Sequence, residues 1–284
     1  MKTIAAAIAV AAAGSTVAPA LAQTMTTYAQ PNFDRWNYPF NFTPGVRTAA
    51  TTFSGESDQF PPNFFDDRDG QFLNSFITAG DYTPGQGASN YVITEATFTA
   101  TLVGGTFDYD TVRNDGASIE LFGTGFRGGL NAFAYGEDFS YGFGEPTSED
   151  IRNAFATDAA GGSRRDVSNE IRDGFVSTPF AQGIIAGEAP GSVTGSGQLV
   201  TFSLDLSNPD VVAYLQDSLN EGIVSLTVSS LHSVVQGDAG TAPAFGTKEG
   251  GAAATFSITA EVIPAPASAA LLGLGGLAAT RRRR

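Results

Sequence analysis

The chain has no cysteine and only one histidine, His232, in its 284 residues. The lack of cysteine excludes disulfides and thiolate metal sites, and a single histidine removes most zinc sites and most histidine-based catalytic designs. Stability must therefore come from packing alone. Basic residues are also scarce, with 15 against 29 acidic residues and a formal net charge of −14. Such a surface repels nucleic acid and anionic lipid, so we expect neither as a partner.

The first 22 residues carry the pattern of a secretory signal peptide. A basic start is followed by an apolar run from Ile4 to Ala13 and by small residues at Ala20 and Ala22. This order predicts a signal peptide over residues 1–22 that the secretion machinery cleaves before Gln23. An uncleaved N-terminal anchor is the alternative, which the short apolar run and the Ala-x-Ala sequence disfavour.

Residues 262–284 combine three elements that a soluble domain has no folding reason to carry. They are the proline motif Pro264, Ala265 and Pro266, the apolar stretch from Ala267 to Ala279, and the basic end Arg281, Arg282, Arg283 and Arg284. The apolar stretch is shorter than the roughly 20 residues that span a bilayer. The arginines would hold that end in the cytoplasm by the positive-inside rule.

This layout resembles the PEP-CTERM sorting signal of Gram-negative bacteria, with Ala265 where that signal has a glutamate. The resemblance implies a C-terminal sorting helix that anchors the chain transiently in the inner membrane. It also implies an exosortase-type transpeptidase as a partner, which cuts near the proline motif. The protein would then reach the cell surface or be secreted. A plain C-terminal membrane anchor without processing is the alternative.

The remaining segment, residues 23–261, is long enough to bury a substantial core as one domain. Without Lys2 and the four terminal arginines, ten basic residues face 29 acidic ones, a net charge near −19. This charge suits a solvated exported protein.

Several segments alternate apolar and polar residues with the period of two that is typical of a half-buried strand. Between Tyr91 and Val103, one face carries Val92, Ala96, Phe98, Ala100 and Leu102, and the other carries Glu95, Thr97, Thr99 and Thr101. The same alternation recurs in 198–206, 222–231 and 253–262. These strands and many turn glycines predict an all-β fold, a β-sandwich or jelly roll of antiparallel strands, each with one wet face.

Turn and helix signals separate these strands. Gly104-Gly105 predicts a two-residue hairpin turn into a strand over 106–112. Asn208-Pro209 predicts the start of a helix that continues as an apolar stripe to Leu219 and ends at Gly222. We expect this helix to cover the open end of a sandwich. A second, weaker helix is predicted to begin near Ser148.

The order of strand, helix, strand and final strand after residue 198 is similar to the end of the exported jelly-roll modules known as DNRLRE domains. The matching residues are Leu204-Asp205-Leu206, Val212, Tyr214-Leu215, Asn220 and Gly222. The resemblance implies a jelly roll and a role in surface association or carbohydrate binding rather than catalysis.

The aromatic segment before residue 55 offers candidate ligand contacts. Gln23 to Gly55 predicts an irregular or edge-strand region whose rings pack on the domain. Trp36 and Tyr38 could instead form a sugar-stacking platform, because aromatic faces provide apolar contacts for ligands. Packing is the favoured interpretation for Trp36.

A calcium site is the only cofactor that the sequence suggests. Asp66, Asp67 and Asp69 lie in a glycine-terminated turn, and hard cations take several oxygen ligands from irregular loops. The spacing does not fit an EF-hand loop. The favoured alternative is that Arg68 pairs with its acidic neighbours and the other acids are solvated.

No pattern in the chain indicates catalysis. His232 has no G-x-S-x-G motif to accompany it, so a strand-end histidine is the favoured interpretation. Glu95, Glu120 and Asp205 are predicted to face solvent, where nothing would separate their pKa values as glycoside hydrolysis requires. We therefore expect a non-enzymatic cell-surface or extracellular-matrix protein that associates with exopolysaccharide. The alternatives are a carbohydrate-binding module and, less favoured, a secreted glycan-active enzyme.

Overall fold

The computed structural model describes residues 23–37, 48–56, 70–110, 118–124, 153–154, 157–158, 165–166, 179–230, 233–235 and 241–263. Within them lie 19 strands and a single α-helix, α1 (Pro209–Glu221). The strands are β1 (Thr24–Tyr28), β2 (Phe33–Asn37), β3 (Ala49–Thr51), β4 (Ser54–Glu56), β5 (Gln71–Ile77), β6 (Tyr91–Gly104), β7 (Thr106–Tyr109), β8 (Ile119–Gly123), β9 (Asn153–Ala154), β10 (Thr157–Asp158), β11 (Arg165–Asp166), β12 (Ala181–Gln182), β13 (Ile184–Ile185), β14 (Ser192–Gly195), β15 (Leu199–Ser203), β16 (Ile223–Ser230), β17 (Ser233–Val235), β18 (Ala244–Gly246) and β19 (Thr255–Val262).

Two large sheets contain most of these strands. A seven-stranded sheet has the order β1-β19-β6-β15-β13, with β18 and β3 continuing from β6. A six-stranded sheet has the order β12-β8-β16-β5-β2-β9. All pairs in the two sheets are antiparallel except β2 with β9. The expectation of an all-β, mainly antiparallel fold is therefore confirmed, and β1 is the edge strand expected of its segment.

The two sheets share one hydrophobic core that is rich in phenylalanine. Phe76 of the six-stranded sheet contacts Phe98 and Phe256 of the seven-stranded sheet, with ring centroids 6.2 Å and 5.5 Å apart. Phe72 stacks on Phe245 at 5.9 Å. All of these rings are buried. Because the chain has no disulfide, this packing between the sheets is the main source of its stability.

The alternation predicted for β6, β15 and β19 is present, with one exception at the start of β6. From Ala96 to Leu102 the apolar members are buried and the threonines between them are half-exposed. At the other end, two steps along β6 correspond to one step along β19, which places a β-bulge at Thr94. The bulge reverses the alternation, so Tyr91 is buried and Val92 is not on the core face as predicted.

Strand β16 does not have the wet face that its sequence predicted. Its serines and threonines are buried along with its apolar residues, and Thr227 is fully buried. Two of them pair with polar partners, since Ser225 and Ser75 are hydrogen-bonded at 2.6 Å and Thr227 is hydrogen-bonded to Thr124, while Ser229 Oγ has no partner among the described residues. Alternation alone could not distinguish a solvated polar face from one that satisfies its hydroxyls internally.

Two further predictions of local structure are wrong. The glycines at 104 and 105 do not form a hairpin, because β7 pairs with β14 and the end of β6 pairs with β18. Gly105, at φ 80°, turns the chain away from its own sheet. The weaker helix predicted near Ser148 does not extend through Asn153–Ala154, which form β9 beside β2.

Helix α1 is formed as the sequence predicted and packs against both sheets. Asn208 caps its start by accepting a hydrogen bond from the Asp210 N–H at 3.0 Å, and Gly222 ends it at φ 84°. Tyr214 bonds to the backbone of Thr124 in the six-stranded sheet, and Gln216 donates to the carbonyl of Tyr91 in the other sheet at 2.8 Å. The helix therefore covers one end of the core. Within the part of the chain that the structure describes, no helix combines the length and the apolar character needed to cross a membrane.

Candidate functional site

The outward face of the seven-stranded sheet bears two continuous rows of hydroxyl side chains. The first row crosses four strands and consists of Thr27, Ser257, Thr97 and Ser203. The second row crosses three strands and consists of Thr255, Thr99 and Thr201. Neighbouring strands lie about 4.8 Å apart, and alternate residues along a strand lie about 6.7 Å apart, so these side chains form a regular grid. We call the seven residues the hydroxyl face.

Hydrogen bonds between neighbours hold part of this grid in place. Thr27 and Ser257 are hydrogen-bonded through their hydroxyls at 2.9 Å, and Thr99 and Thr255 at 2.6 Å. Each hydroxyl still has capacity for another partner, because it combines one donor with two acceptor positions. The hydroxyl face can therefore donate and accept hydrogen bonds at a repeated spacing.

The hydroxyl face is uncharged and is bordered by exposed aliphatic side chains. These are Met25, Val103, Ile184 and Leu199, which are among the most exposed large hydrophobic residues of the described chain. Ile184 lies opposite Thr201 in register and so continues the second row. Glu95 lies opposite Thr259, beyond the two rows. The surface thus mixes neutral hydroxyls with methyl and aliphatic groups, although the whole chain is strongly acidic.

A second chemically unusual place lies inside the protein, between β2 and the turn formed by Lys248–Gly250. Asp34 is 1% exposed, and its Oδ2 accepts a hydrogen bond from the Lys248 N–H at 2.7 Å. The carboxyl of Glu249 lies within hydrogen-bonding reach of the Asp34 carboxyl. Burial, opposed by the Lys248 N–H and reinforced by the Glu249 carboxylate, raises the pKa of Asp34 from 3.8 to about 7. The negative charge of Glu249 therefore disfavours ionisation of Asp34.

Asn74 lies directly opposite Asp34 in the register of β2 and β5, so both side chains leave the sheet on its core face. Asn74 is fully buried, and neither its Oδ1 nor its Nδ2 has a hydrogen-bond partner among the residues that the structure describes. Its neighbours on that face include Phe72 and Phe76. A buried amide without partners lowers the stability of the fold by on the order of 1–3 kcal/mol. A ligand that contacts both Asn74 and the acidic pair would remove this penalty.

Trp36 lies on the same strand as Asp34 and is partly buried. Its indole N–H donates to the carbonyl of Thr51 at 2.8 Å, and its ring packs against the main core and against Phe53 and Ala242. The ring therefore contributes to packing, which was the favoured interpretation. A ligand-binding role for Trp36 stays a prediction.

Of the three acids considered for glycoside hydrolysis, Glu95 lies on β6, Asp205 follows β15 and Glu120 lies on β8 of the other sheet. Glu95 and Asp205 are exposed, as predicted. The prediction for Glu120 is wrong, because its side chain is buried and its Oε1 accepts a hydrogen bond from Ser118 Oγ at 3.3 Å. Hydrogen bonds from Ser207 lower the pKa of Asp205, which keeps that carboxylate ionised. The acids that the structure does bring together, Asp34 and Glu249, were not identified from the sequence.

Most of the other predicted site residues lie outside the described residues. This holds for the signal-cleavage residues Ala20 and Ala22, for Tyr38, for the acidic turn Asp66, Asp67 and Asp69, for His232, and for the sorting motif Pro264, Ala265, Pro266 and Arg281 to Arg284. Gln23 is described, and its side chain accepts a hydrogen bond from Thr94 Oγ1 at 3.1 Å. Within the described residues, no three or more carboxylate or imidazole side chains are grouped closely enough to bind a metal by themselves.

Comparison with known proteins gives no match to a protein-family model, to a curated protein or to a solved structure. The proposed function therefore rests on the chemistry of the described residues.

Proposed function

We propose that this chain is an exported, non-enzymatic protein of the cell surface or extracellular matrix, and that it lies against polysaccharide through its hydroxyl face. The observation that carries the proposal is the alignment of Thr27, Ser257, Thr97 and Ser203 across four strands. A polysaccharide repeats the same groups along its length. A protein surface that repeats hydroxyls at fixed spacing can contact such a polymer at many points.

The chemistry of the hydroxyl face supports a neutral sugar polymer as the ligand. Sugar rings present hydroxyls at their edges and C–H groups on their faces. The threonine hydroxyls can exchange hydrogen bonds with the edges, while threonine methyls and the bordering Leu199 and Ile184 can contact the C–H groups. The absence of charge from the two rows fits a neutral ligand better than an anionic one, because the remainder of the chain is acidic.

The body of the protein, residues 23–261, is proposed to be a β-sandwich of the jelly-roll type. The phenylalanine contacts between the two sheets and the helix across one end support this arrangement. The order of β15, α1, β16 and β19 along the chain is also the one on which the DNRLRE resemblance rests. A broad sheet face in such a fold offers a flat surface to a polymer.

Export and sorting are proposed from the terminal sequences. Residues 1–22 would direct secretion, and residues 262–284 would be the substrate of an exosortase-type enzyme at the inner membrane. Removal of the tail would leave the domain free to associate with exopolysaccharide outside the cell. The hydroxyl-bearing strands and the acidic composition are consistent with a solvated exported protein.

Cosedimentation of the purified chain with cellulose, an insoluble neutral polysaccharide, tests the proposal. Thr201→Glu places a charge in the second row, and we expect binding to weaken at least tenfold because the carboxylate would lose water without gaining a partner. Thr106→Glu is the matched control, since Thr106 is an exposed strand threonine on β7, outside the hydroxyl face. Parent and control should bind equally. Equal binding by all three proteins would contradict the role of this face.

A carbohydrate-binding module that recognises one specific glycan is the second candidate. It would use the same face or the ring of Trp36, and a short soluble oligosaccharide would then compete with the polymer. A surface protein that binds through many weak contacts would show little competition. Trp36→Phe, which keeps an aromatic ring in the core, separates a specific role of the indole from packing.

A further inference from the structure

We propose that Asp34, Glu249 and Asn74 bind one divalent cation, Ca²⁺, at the edge of the core between the two sheets. The two carboxylates and the amide oxygen of Asn74 are ligand types that Ca²⁺ prefers, and backbone carbonyls and water complete such sites. The site differs from the acidic turn at 66–69 and could not be seen as a motif, because its residues are far apart in the sequence.

The acidic residues Asp34 and Glu249 provide the first reason to expect a cation. Asp34 and Glu249 lie together in a region where Asp34 is almost completely buried. The ammonium of Lys248 donates to the carbonyl of Asn32 at 2.6 Å, the backbone N–H of Lys248 contacts Asp34, and the positive charge of Lys248 offsets part of the negative charge of Asp34. Asp34 is buried and Glu249 is half-buried, and a buried carboxylate requires pairing or a metal ion, so a cation between the two would reduce their repulsion.

Asn74 provides a second reason, which does not depend on charge. Its side chain is completely buried and has no hydrogen-bond partner in the described part of the chain, and it shares the core face with Asp34, with Cβ atoms about 5 Å apart. The Oδ1 of Asp34 also lacks a donor among the described residues. A proton on Asp34 would remove its charge but would leave the Asn74 oxygen without a partner among the described residues. A cation would be a partner for Asn74 Oδ1 and for both carboxylates.

Calcium titration of the full chain tests the proposal, with the protein first freed of metal by a chelator. We expect CaCl₂ at about a hundredfold above its Kd to raise the melting temperature by about 5 to 10 °C. Asp34→Asn should abolish this rise, whereas Asp217→Asn, which changes an exposed carboxylate on α1, should keep it. An unchanged melting temperature of the parent, or a full calcium response in Asp34→Asn, would overturn the proposal.

Asn74→Leu separates a metal ligand from a purely structural residue. The leucine removes the amide oxygen and adds no polar atom, so the metal-free variant should be at least as stable as the parent while its calcium response is lost. A purely structural asparagine would leave the calcium response intact, and that result would contradict its role as a ligand.

Terbium luminescence gives a local measurement that does not depend on any variant. Trp36 is the only tryptophan of the chain and lies two residues from Asp34 on the same face of β2. Tb³⁺ bound at the proposed site should therefore emit when Trp36 is excited, and CaCl₂ should displace it. Absence of sensitised emission, or emission that persists in Asp34→Asn, would argue against this site.

Discussion

The hydroxyl of Tyr214 both donates a hydrogen bond to the carbonyl of Thr124, at 2.6 Å, and accepts one from the Thr124 N–H, at 2.8 Å. Tyr214 belongs to α1 and Thr124 follows the end of β8, so one phenol joins the helix to the six-stranded sheet. The ring also packs edge-on against Phe180, with centroids 5.1 Å apart. These contacts fix the helix across the end of the core.

Tyr214→Phe should lower the free energy of unfolding by about 1–3 kcal/mol, because the buried carbonyl of Thr124 loses the phenol donor, while the Thr124 N–H keeps its hydrogen bond to the Ser225 carbonyl at 3.1 Å. Tyr82→Phe is the matched control, since the hydroxyl of Tyr82 makes only long hydrogen bonds, of 3.3 Å to Thr26 and 3.3 Å to Ile258. Urea denaturation of both variants checks the prediction. A loss in Tyr214→Phe no greater than that in Tyr82→Phe would show that the hydrogen bonds of Tyr214 do not hold the helix in place.

Gly222→Ala should destabilise the protein more than Gly187→Ala. Both glycines have a positive φ, 84° and 88°, so each alanine meets the same backbone strain of roughly 1–2 kcal/mol. At Gly222 the added Cβ would also come within 2.9 Å of Ala79 and Pro84, whereas Gly187 has open space. Thermal melts should therefore show the greater loss at Gly222. Equal losses would mean that the loop of Ala79 and Pro84 moves aside without cost.

The stability of the metal-free protein should fall between pH 4 and pH 7. The pKa of Asp34 is raised from 3.8 to about 7 in the folded protein, so the folded chain binds a proton that the unfolded chain has already released in this range. The charged groups facing Asp34 are Glu249 and Lys248. The contribution is therefore complete below the unfolded pKa and is lost as the pH rises to the folded one.

Asp34→Asn removes this titrating carboxyl while keeping the shape of the side chain. In chelator, the melting temperature of the parent should decrease more between pH 5 and pH 8 than that of the variant. Parallel pH profiles for the two proteins would mean that Asp34 does not take up a proton on folding in this pH range.

The mature protein should lack the arginine cluster if the tail is processed as proposed. Mass spectrometry of protein recovered from the surface of the producing cells should find no peptide that contains Arg281 to Arg284, and an N-terminus at Gln23. Protein from a strain without the sorting enzyme would retain the arginines. An intact C-terminus at the wild-type cell surface would favour a plain membrane anchor.

The alternation of apolar and polar residues predicted those parts of the fold in which the burial of each side chain matches its polarity. The threonines between Ala96 and Leu102 are on the outer face as expected, and the caps at Asn208 and Gly222 define the helix. The sequence could not reveal the bulge at Thr94, because a bulge depends on the register with another strand.

The two candidate sites were harder to predict from the sequence. The hydroxyl face depends on the registers among four strands, which alternation within each strand does not specify. The acidic site joins residues 34, 74 and 249, and no local spacing connects them. One signal was present, because Asp34 and Trp36 are two residues apart and therefore share a face of β2. A carboxylate on the same face as a packed tryptophan indicates burial.

Hydroxyl-radical footprinting of the protein on and off cellulose tests the proposed surface most directly. Met25 and Leu199 border the hydroxyl face and are 59% and 52% exposed, while Val193, 65% exposed, lies on β14 away from it. We expect bound polysaccharide to protect Met25 and Leu199 from oxidation and to leave the oxidation of Val193 unchanged. Protection of Val193 with continued oxidation of Met25 and Leu199 would contradict it.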